Sequence, residues 1–288
     1  MTQLPMYRTT TATMNRPTGA ALDDRLHYGG EGPGDLLMRF ESAFESDFSL
    51  VATGRTAAWI HGFDVLPPGA DQREWPIECS SDPPLADIAV VDGLPVTCLA
   101  RTLVDCAADL PRLEAVAAAD QMLRAGIDAG SLSAALEPLH GDRLRRANAT
   151  LIAADPRSES PMKSWTRCLI GDAGLPAAIP QLRVRTPNGR SKFLDLGWEQ
   201  WRVGVEYDGL GTHLGLAAET ADRRRHQVLR NLGWEILVLT ASDVMKHPRP
   251  WLVRLREMLL DRGWDPDPNQ LRDINERIEA VHMAVGRA

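Results

Sequence analysis

The sequence predicts a mixed α/β fold: a mostly helical first half with a few short strands, then a second half in which a small mixed sheet is flanked by helices. Three observations carry this. The apolar runs FLDLGW (193–198) and WRVGVEY (201–207) are joined by a tight connection near Glu199 and Gln200 and have the look of a hairpin. A helical stretch from Thr220 to Leu232 separates that hairpin from a further strand, Glu235 to Thr240, and a helical crossover lets a strand lie parallel to a neighbour. Apolar residues at helical spacing run through residues 99–153.

Taken in order, residues 1–33 are rich in Thr, Gly, Pro and charge and lack a periodic apolar pattern, which predicts a mobile extension. Leu36, Leu37, Phe40 and Phe44 follow helical spacing, and Arg55 to His61 predicts a second short helix. Pro67-Pro68-Gly69-Ala70 is a turn, and short strands are expected at Trp75 to Cys79, Ile88 to Val91 and Leu94 to Thr97, the last two joined by Asp92-Gly93. Thr97 is placed to cap a helix, Leu113 to Arg124 forms another, and Gly130 to Leu139 and Asp142 to Ala153 continue the helical region. Arg143, Arg145 and Arg146 fit a solvated face better than a binding patch.

A linker near Ala154-Asp155-Pro156-Arg157 divides the chain. Ser158 or Ser160 caps the next helix, with Pro161 in its first turn, and strands follow at Gln181 to Arg185, Phe193 to Gly197 and Arg202 to Tyr207, with a turn at Pro187-Asn188-Gly189. Residues 241–263 are helical, and Asn269 to about Val285 predicts a last, loosely attached helix. The expected domains are 1–33, an extension; 34–155, helical and mixed; 156–265, a sheet domain able to fold alone; and 266–288, a helical tail.

Composition narrows the function. A chain of 288 residues, 44% hydrophobic, holds ordinary cores in one or two domains. No apolar run approaches the ~20 residues of a membrane span, and the start has no hydrophobic segment suited to a secretory signal, so a cytoplasmic protein is expected. Cys79, Cys98, Cys106 and Cys168 have no CxxC spacing and suggest reduced, buried thiols. The net charge of −7 argues against nucleic acid only if it is uniform, and it is not: residues 1–141 carry −11 and residues 142–288 carry +4, with 20 of the 23 basic residues there arginines.

The hairpin carries the chemistry. Cross-strand partners share a face, which sets Asp195 opposite Glu206, and period-two alternation returns Asp208 to the Glu206 side. Like charges so close are costly unless a cation lies between them, and Mg²⁺ takes oxygen ligands from one or two carboxylates plus substrate phosphates. A solvated hairpin edge with scattered acids is the bland alternative.

The order helix, three strands, helix, strand, with Gln181 in the first strand, Asp195 in FLDLGW, Glu206, Asp208, Gly209 and His213 in VEYDGLGTH, and Asp222, Arg225, Leu229 and Gly233 in DRRRHQVLRNLGW, resembles the PD-(D/E)XK nuclease superfamily. The resemblance spans roughly Ser158 to Arg262 and is closer to the branch related to very-short-patch-repair endonucleases. GRTAAWIHGFDVLPP and VVDGLPVTCLARTLVDCAADLPRLEAVAAADQMLRAGI resemble the region found beside AbiE-type antitoxin domains.

The first resemblance implies a restriction-endonuclease-like sheet domain and an Mg²⁺- or Mn²⁺-dependent DNA endonuclease. Asp195, Glu206 and Asp208 would be metal ligands, with Asp208 where the superfamily's general form has a lysine; Gln181 would lie near the metal and His213 would act as general acid or phosphate contact. Arg223, Arg224 and Arg225 are candidates for DNA contact, although Asp222 with Arg225 also suits a structural pair. Relatives usually carry a glutamate just after Ser-Pro-Met, where this chain has Lys163, with Glu159 one turn earlier. DNA is the expected partner, and a homodimer is compatible with the reading. The rival function is a catalytically degenerate DNA-binding or antitoxin-like regulator.

Overall fold

The structure, a computed structural model, describes residues 36–67, 69–187, 189–209 and 225–285. The fold is mixed α/β, with two four-stranded sheets in two compact units. One unit takes in the chain up to Leu110 together with Met122–Ala149; the other takes in Pro111–Gln121 and the chain from Thr150 onward. The expected extension at 1–33 lies outside the described residues.

In the first unit the chain runs through α1 (Leu36–Ser46), β1 (Val51–Ala52), α2 (Gly54–Ile60), β2 (Cys79–Ser80), β3 (Ile88–Val91), β4 (Leu94–Thr97) and α3 (Leu99–Asp109). After α4 (Arg112–Arg124), whose residues up to Gln121 belong to the second unit, come α5 (Ala129–Leu136) and α6 (Gly141–Ala153). The sheet order is β2-β1-β4-β3, with β1 parallel to β4. Asp92 (φ 50°) and Gly93 (φ 87°) both have positive φ, which matches the twist of the β3–β4 hairpin as predicted. Phe40, Ala52, Ala57, Ile60, Leu94 and Val96 form a core here.

Three expectations need correction. The strand foreseen at 75–79 is reduced to Cys79–Ser80, because Arg39 donates to Trp75 O at 2.7 Å and the Trp75 ring lies 4.9 Å from the Arg55 guanidinium, partners that replace a ladder. Thr97 does not cap α3: it ends β4, its hydroxyl bonds Thr102 Oγ1 at 2.7 Å, and Cys98 takes the cap position. Cys106 and Cys168 are buried, and burial pushes the Cys168 thiol up to about 12, but Cys79 is exposed and Cys98 half-buried. Arg143 pairs with Asp105 (3.0 Å) and Asp109 (2.6 Å), and Arg145 with Asp142 (2.7 Å), the local ion pairing expected of a solvated helix face.

In the second unit α7 (Pro161–Asp172) begins at Ser160, whose hydroxyl accepts from the Lys163 N–H, with Pro161 in the first turn. The strands are β5 (Ile179–Arg185), β6 (Ser191–Trp198) and β7 (Val203–Tyr207). Then come α8, whose described part is 225–231, β8 (Glu235–Leu239), α9 (Ala241–Met245), α10 (Pro248–Asp261) and α11 (Pro268–Val285). The sheet order is β5-β6-β7-β8, antiparallel except for β7 and β8, which are parallel as a helical crossover requires. Asn188 of the predicted β5–β6 turn lies outside the described residues.

Two cores hold this sheet. Leu196, Val203, Val205 and Leu239 pack with Met162, Leu169 and Ile170 of α7, Trp251, Leu252 and Leu255 of α10, and Ile274, Ile278 and Val281 of α11. Leu182, Val184 and Leu194 pack with Leu229 and Trp234. Leu237 adjoins the first cluster and Ile236 the second, as period-two alternation demands, so helices cover both faces of β8. The C-terminal helix is therefore not loosely attached: three of its apolar side chains, one helical stripe, are buried in the main core. Asp120 of α4, 0% exposed, pairs with Arg167 of α7 at 2.7 Å and accepts the Asp155 N–H, which ties the segment before the linker into this unit.

Candidate functional site

The ladder between β6 and β7 runs from Trp198↔Val203 to Leu196↔Val205. One step further the register sets Asp195 opposite Glu206, as the sequence predicts, but there the ladder is replaced: Asp195 Oδ2 accepts the Tyr207 N–H at 2.9 Å. On the other flank β5 pairs with β6 at Pro180↔Leu196 and Leu182↔Leu194, so Gln181 stands level with Asp195. Gln181 has φ 51°, a left-handed conformation that non-glycine residues seldom adopt, and it is skipped in the pairing of β5 with β6. Three neighbouring strands thus bring Gln181, Asp195 and Glu206 to one level of the sheet.

Two helices supply the countercharges. Lys163, in the first turn of α7, sets its Nζ 2.8 Å from Asp195 Oδ1 and 2.9 Å from Glu159 Oε2. Gln181 Nε2 donates to that same Glu159 oxygen at 2.9 Å, closing a chain from Asp195 through Lys163 and Glu159 to Gln181. From α8, Arg225 forks onto Glu206 at 2.7 and 3.2 Å and donates to Phe193 O at 3.3 Å.

Burial sets the proton affinities. Glu206 is 3% exposed, and its carboxyl is pushed up to about 7: burial is the main cause, the Asp195 charge adds to it, and Arg225 and Lys163 only partly offset the two. For Lys163 burial works against the charge, but Asp195 and Glu159 outweigh it, and the ammonium ends above the ordinary lysine range. The site thus holds one carboxylate locked to an ammonium and one that titrates near neutrality.

The structure brings together Asp195, Glu206 and Gln181 but does not add Asp208 to a group of three. Asp208 follows the last residue of β7, is exposed, and donates its N–H to Leu239 O at 2.8 Å. Two residues along a strand is about 6–7 Å, so sharing the face of Glu206 does not make it converge with Asp195. Among the described residues no group of three or more His, Cys, Asp and Glu side chains is placed to hold a metal ion. Arg225 is also corrected, since its guanidinium is committed to Glu206 and not held out for DNA. His213, Asp222, Arg223 and Arg224 lie outside the described residues. The sequence places Lys163 where relatives carry a site glutamate but does not foretell that its ammonium pairs with Asp195; the only local signal is the Glu159–Lys163 pair, four apart at a helix start.

The donor set fits a hard divalent cation in its chemistry. Mg²⁺ takes one or two carboxylates and completes its shell with water and phosphate oxygens. Asp195 and Glu206 would hold it, provided that Lys163 and Arg225 yield a share of their oxygens.

The fold and site thus define a mixed α/β protein with a carboxylate pair, one buried and one half-buried, each held by a basic side chain. The chain is 30% identical over 244 residues to the uncharacterized proteins MT2308 and Rv2248 from two strains of Mycobacterium tuberculosis, an alignment covering 81% of this chain and 89% of each relative. It belongs to the family of these proteins. No family model and no solved structure matches the chain.

Proposed function

We propose that this protein is a divalent-cation-dependent DNA endonuclease, with Asp195 and Glu206 as the metal-holding carboxylates and Gln181 and Lys163 beside them. The single observation that carries the reading is the placement of Glu206, a buried carboxyl facing the Asp195 carboxylate. Keeping two acids so close, one of them desolvated, costs stability and adds nothing to packing that an apolar residue would not supply. A bound Mg²⁺ or Mn²⁺ supplies a water nucleophilic near neutral pH and stabilises charge on phosphate.

This chain's own residues supply the rest. Lys163 Nζ, held on Asp195, sets a positive charge where a phosphate oxygen would meet the carboxylates. Glu206, titrating near 7, can give up its proton when a cation arrives and take one back when it leaves. His213 remains in the proposal as a general acid or phosphate contact, whereas Asp208 does not, since it stands apart from the Asp195 and Glu206 carboxyls. The restriction-endonuclease-like fold, a homodimer and a cytoplasmic location belong to the same proposal; for the last, no described helix is long and apolar enough to cross a membrane.

A second reading, a DNA-binding or antitoxin-like regulator that keeps a degenerate nuclease fold, is favoured by one observation: both carboxyl groups already have a basic partner, Asp195 in Lys163 and Glu206 in Arg225. Incubation with supercoiled plasmid, with and without Mg²⁺ or Mn²⁺, separates the two. The expected result is metal-dependent nicking that Asp195→Ala abolishes, with DNA affinity equal or higher because an anion near the phosphate is gone. Absence of cleavage in the wild type, or cleavage that survives Asp195→Ala, defeats the nuclease reading.

A further inference from the structure

Beyond the carboxylate pair, we propose that the outward face of the β5–β6 hairpin, built from Arg183, Arg185 and Phe193, binds a single-stranded stretch of nucleic acid, with phosphates on the two arginines and a base on the Phe193 ring. Leu182, Val184 and Leu194 pack into the smaller core against Leu229 and Trp234, so alternation turns their neighbours Arg183, Arg185 and Phe193 away from it. All three are exposed, and Phe193 leaves 49% of its surface in water.

The register makes the three a single surface. Arg183 pairs with Phe193 and Arg185 with Ser191, which sets the arginine and the ring side by side, with Cβ atoms about 5 Å apart. Ser191 Oγ accepts from Arg183 Nε at 2.7 Å and fixes the guanidinium over the strand. Most of the described arginines of this unit are tied to carboxylates, among them Arg112, Arg167, Arg225, Arg254 and Arg262. Among the described residues Arg183 and Arg185 make no such pair. Uncompensated guanidinium groups flanking an exposed ring are complementary to a backbone of phosphates with bases free to stack, and a duplex hides the base faces that this ring would take.

Position extends the inference. On the same two strands Gln181 and Asp195 lie two positions beyond Arg183 and Phe193, so a strand held here would run toward the Asp195 end of the site. That last step rests on the nuclease reading; the binding surface does not.

The test is fluorescence anisotropy of a short labelled single-stranded oligonucleotide and of the duplex of the same sequence, titrated over a salt series. Arg183→Ser/Arg185→Ser should weaken single-strand binding about tenfold or more and lower the salt slope by about 1.4, the loss of two phosphate contacts. Phe193→Ala should weaken the single strand about tenfold with the slope unchanged, and Phe193→Trp should keep wild-type affinity. These side chains are exposed, and unchanged circular dichroism and melting temperature show that the variants are folded. Variants that bind as the wild type does, or a wild type that binds no single strand, overturn the proposal; an equal loss on the duplex overturns the assignment of a base to Phe193. Plasmid nicking by the same preparations separates this from the function proposed above. A wild type that binds but never nicks ends the nuclease reading and leaves the surface standing. A wild type that nicks while Arg183→Ser/Arg185→Ser changes neither assay ends the surface and leaves the nuclease.

Discussion

Glu206 and Lys163 are the residues on which the chemistry turns, and each makes a measurable claim. The folded-state pKa of Glu206, about 7, lies above the 4.5 of an unperturbed carboxyl, so the folded state binds this proton more tightly than the unfolded chain does. Its contribution to stability is fully present below pH 4.5 and is lost as pH rises through 7, a change of about 3 kcal/mol. Urea denaturation at pH 5 and pH 8 should show that loss in the wild type and a much flatter profile in Glu206→Gln. Equal pH dependence in the two proteins would place Glu206 in a more solvated setting than the structure gives it. Lys163→Glu exchanges the ammonium for a third negative charge beside Asp195 and Glu159, and should lower stability in EDTA by about 1–3 kcal/mol. Mn²⁺ should restore part of that loss by binding the folded state alone. A variant whose melting temperature ignores Mn²⁺ would show that these carboxylates are not arranged around a cation position.

At the scale of elements, the site is a place where regular pairing stops. The β6–β7 ladder ends at Leu196↔Val205 and the backbone of Gln181 leaves the usual strand φ range, so the Asp195 carboxylate takes the Tyr207 N–H, while the Gln181 side chain turns to Glu159. The two helices that fill the opening must be held firmly for 2.7–2.8 Å pairs to persist. For α7 the holding contact is the buried pair of Arg167 with Asp120, which also binds the Ala153 carbonyl and the Asp155 N–H. Asp120→Ala leaves a guanidinium and an amide without their acceptor in a dry setting and should cost about 3–5 kcal/mol. Thermal or urea unfolding measures it directly, and a loss under 1 kcal/mol would mean that water replaces the carboxylate at little cost.

For the whole molecule, the division into units does not follow the linker in the sequence. Pro111–Gln121 lies before Ala154-Asp155-Pro156 yet belongs to the second unit, and α11 lies beyond residue 265 yet supplies Ile274, Ile278 and Val281 to its core. Residues 156–265 expressed alone would lack both and should give a poorly folded product, whereas 111–288 should unfold cooperatively. Circular dichroism and denaturant titration of the two fragments check this; a cooperative transition of equal stability in the shorter one would mean that α4 and α11 are accessories.

What the sequence by itself determined is the local content of the fold. Apolar spacing located the longer helices and strands though not β1, Asp92-Gly93 announced its hairpin, Ser160-Pro161 announced its helix start, and the two acids on facing runs predicted that Asp195 would lie opposite Glu206. These are contacts between near neighbours in the chain, written in period and turn chemistry. Only the tertiary structure decided which polar side chains meet across 20 residues or more: Lys163 with Asp195, Gln181 with Glu159, Arg167 with Asp120. It also decided that Asp208 stands apart and that the last helix is core. The physical reason is that an ion pair of long side chains leaves no periodic trace in sequence, and the burial that lifts Glu206 to about 7 is a property of everything packed around it.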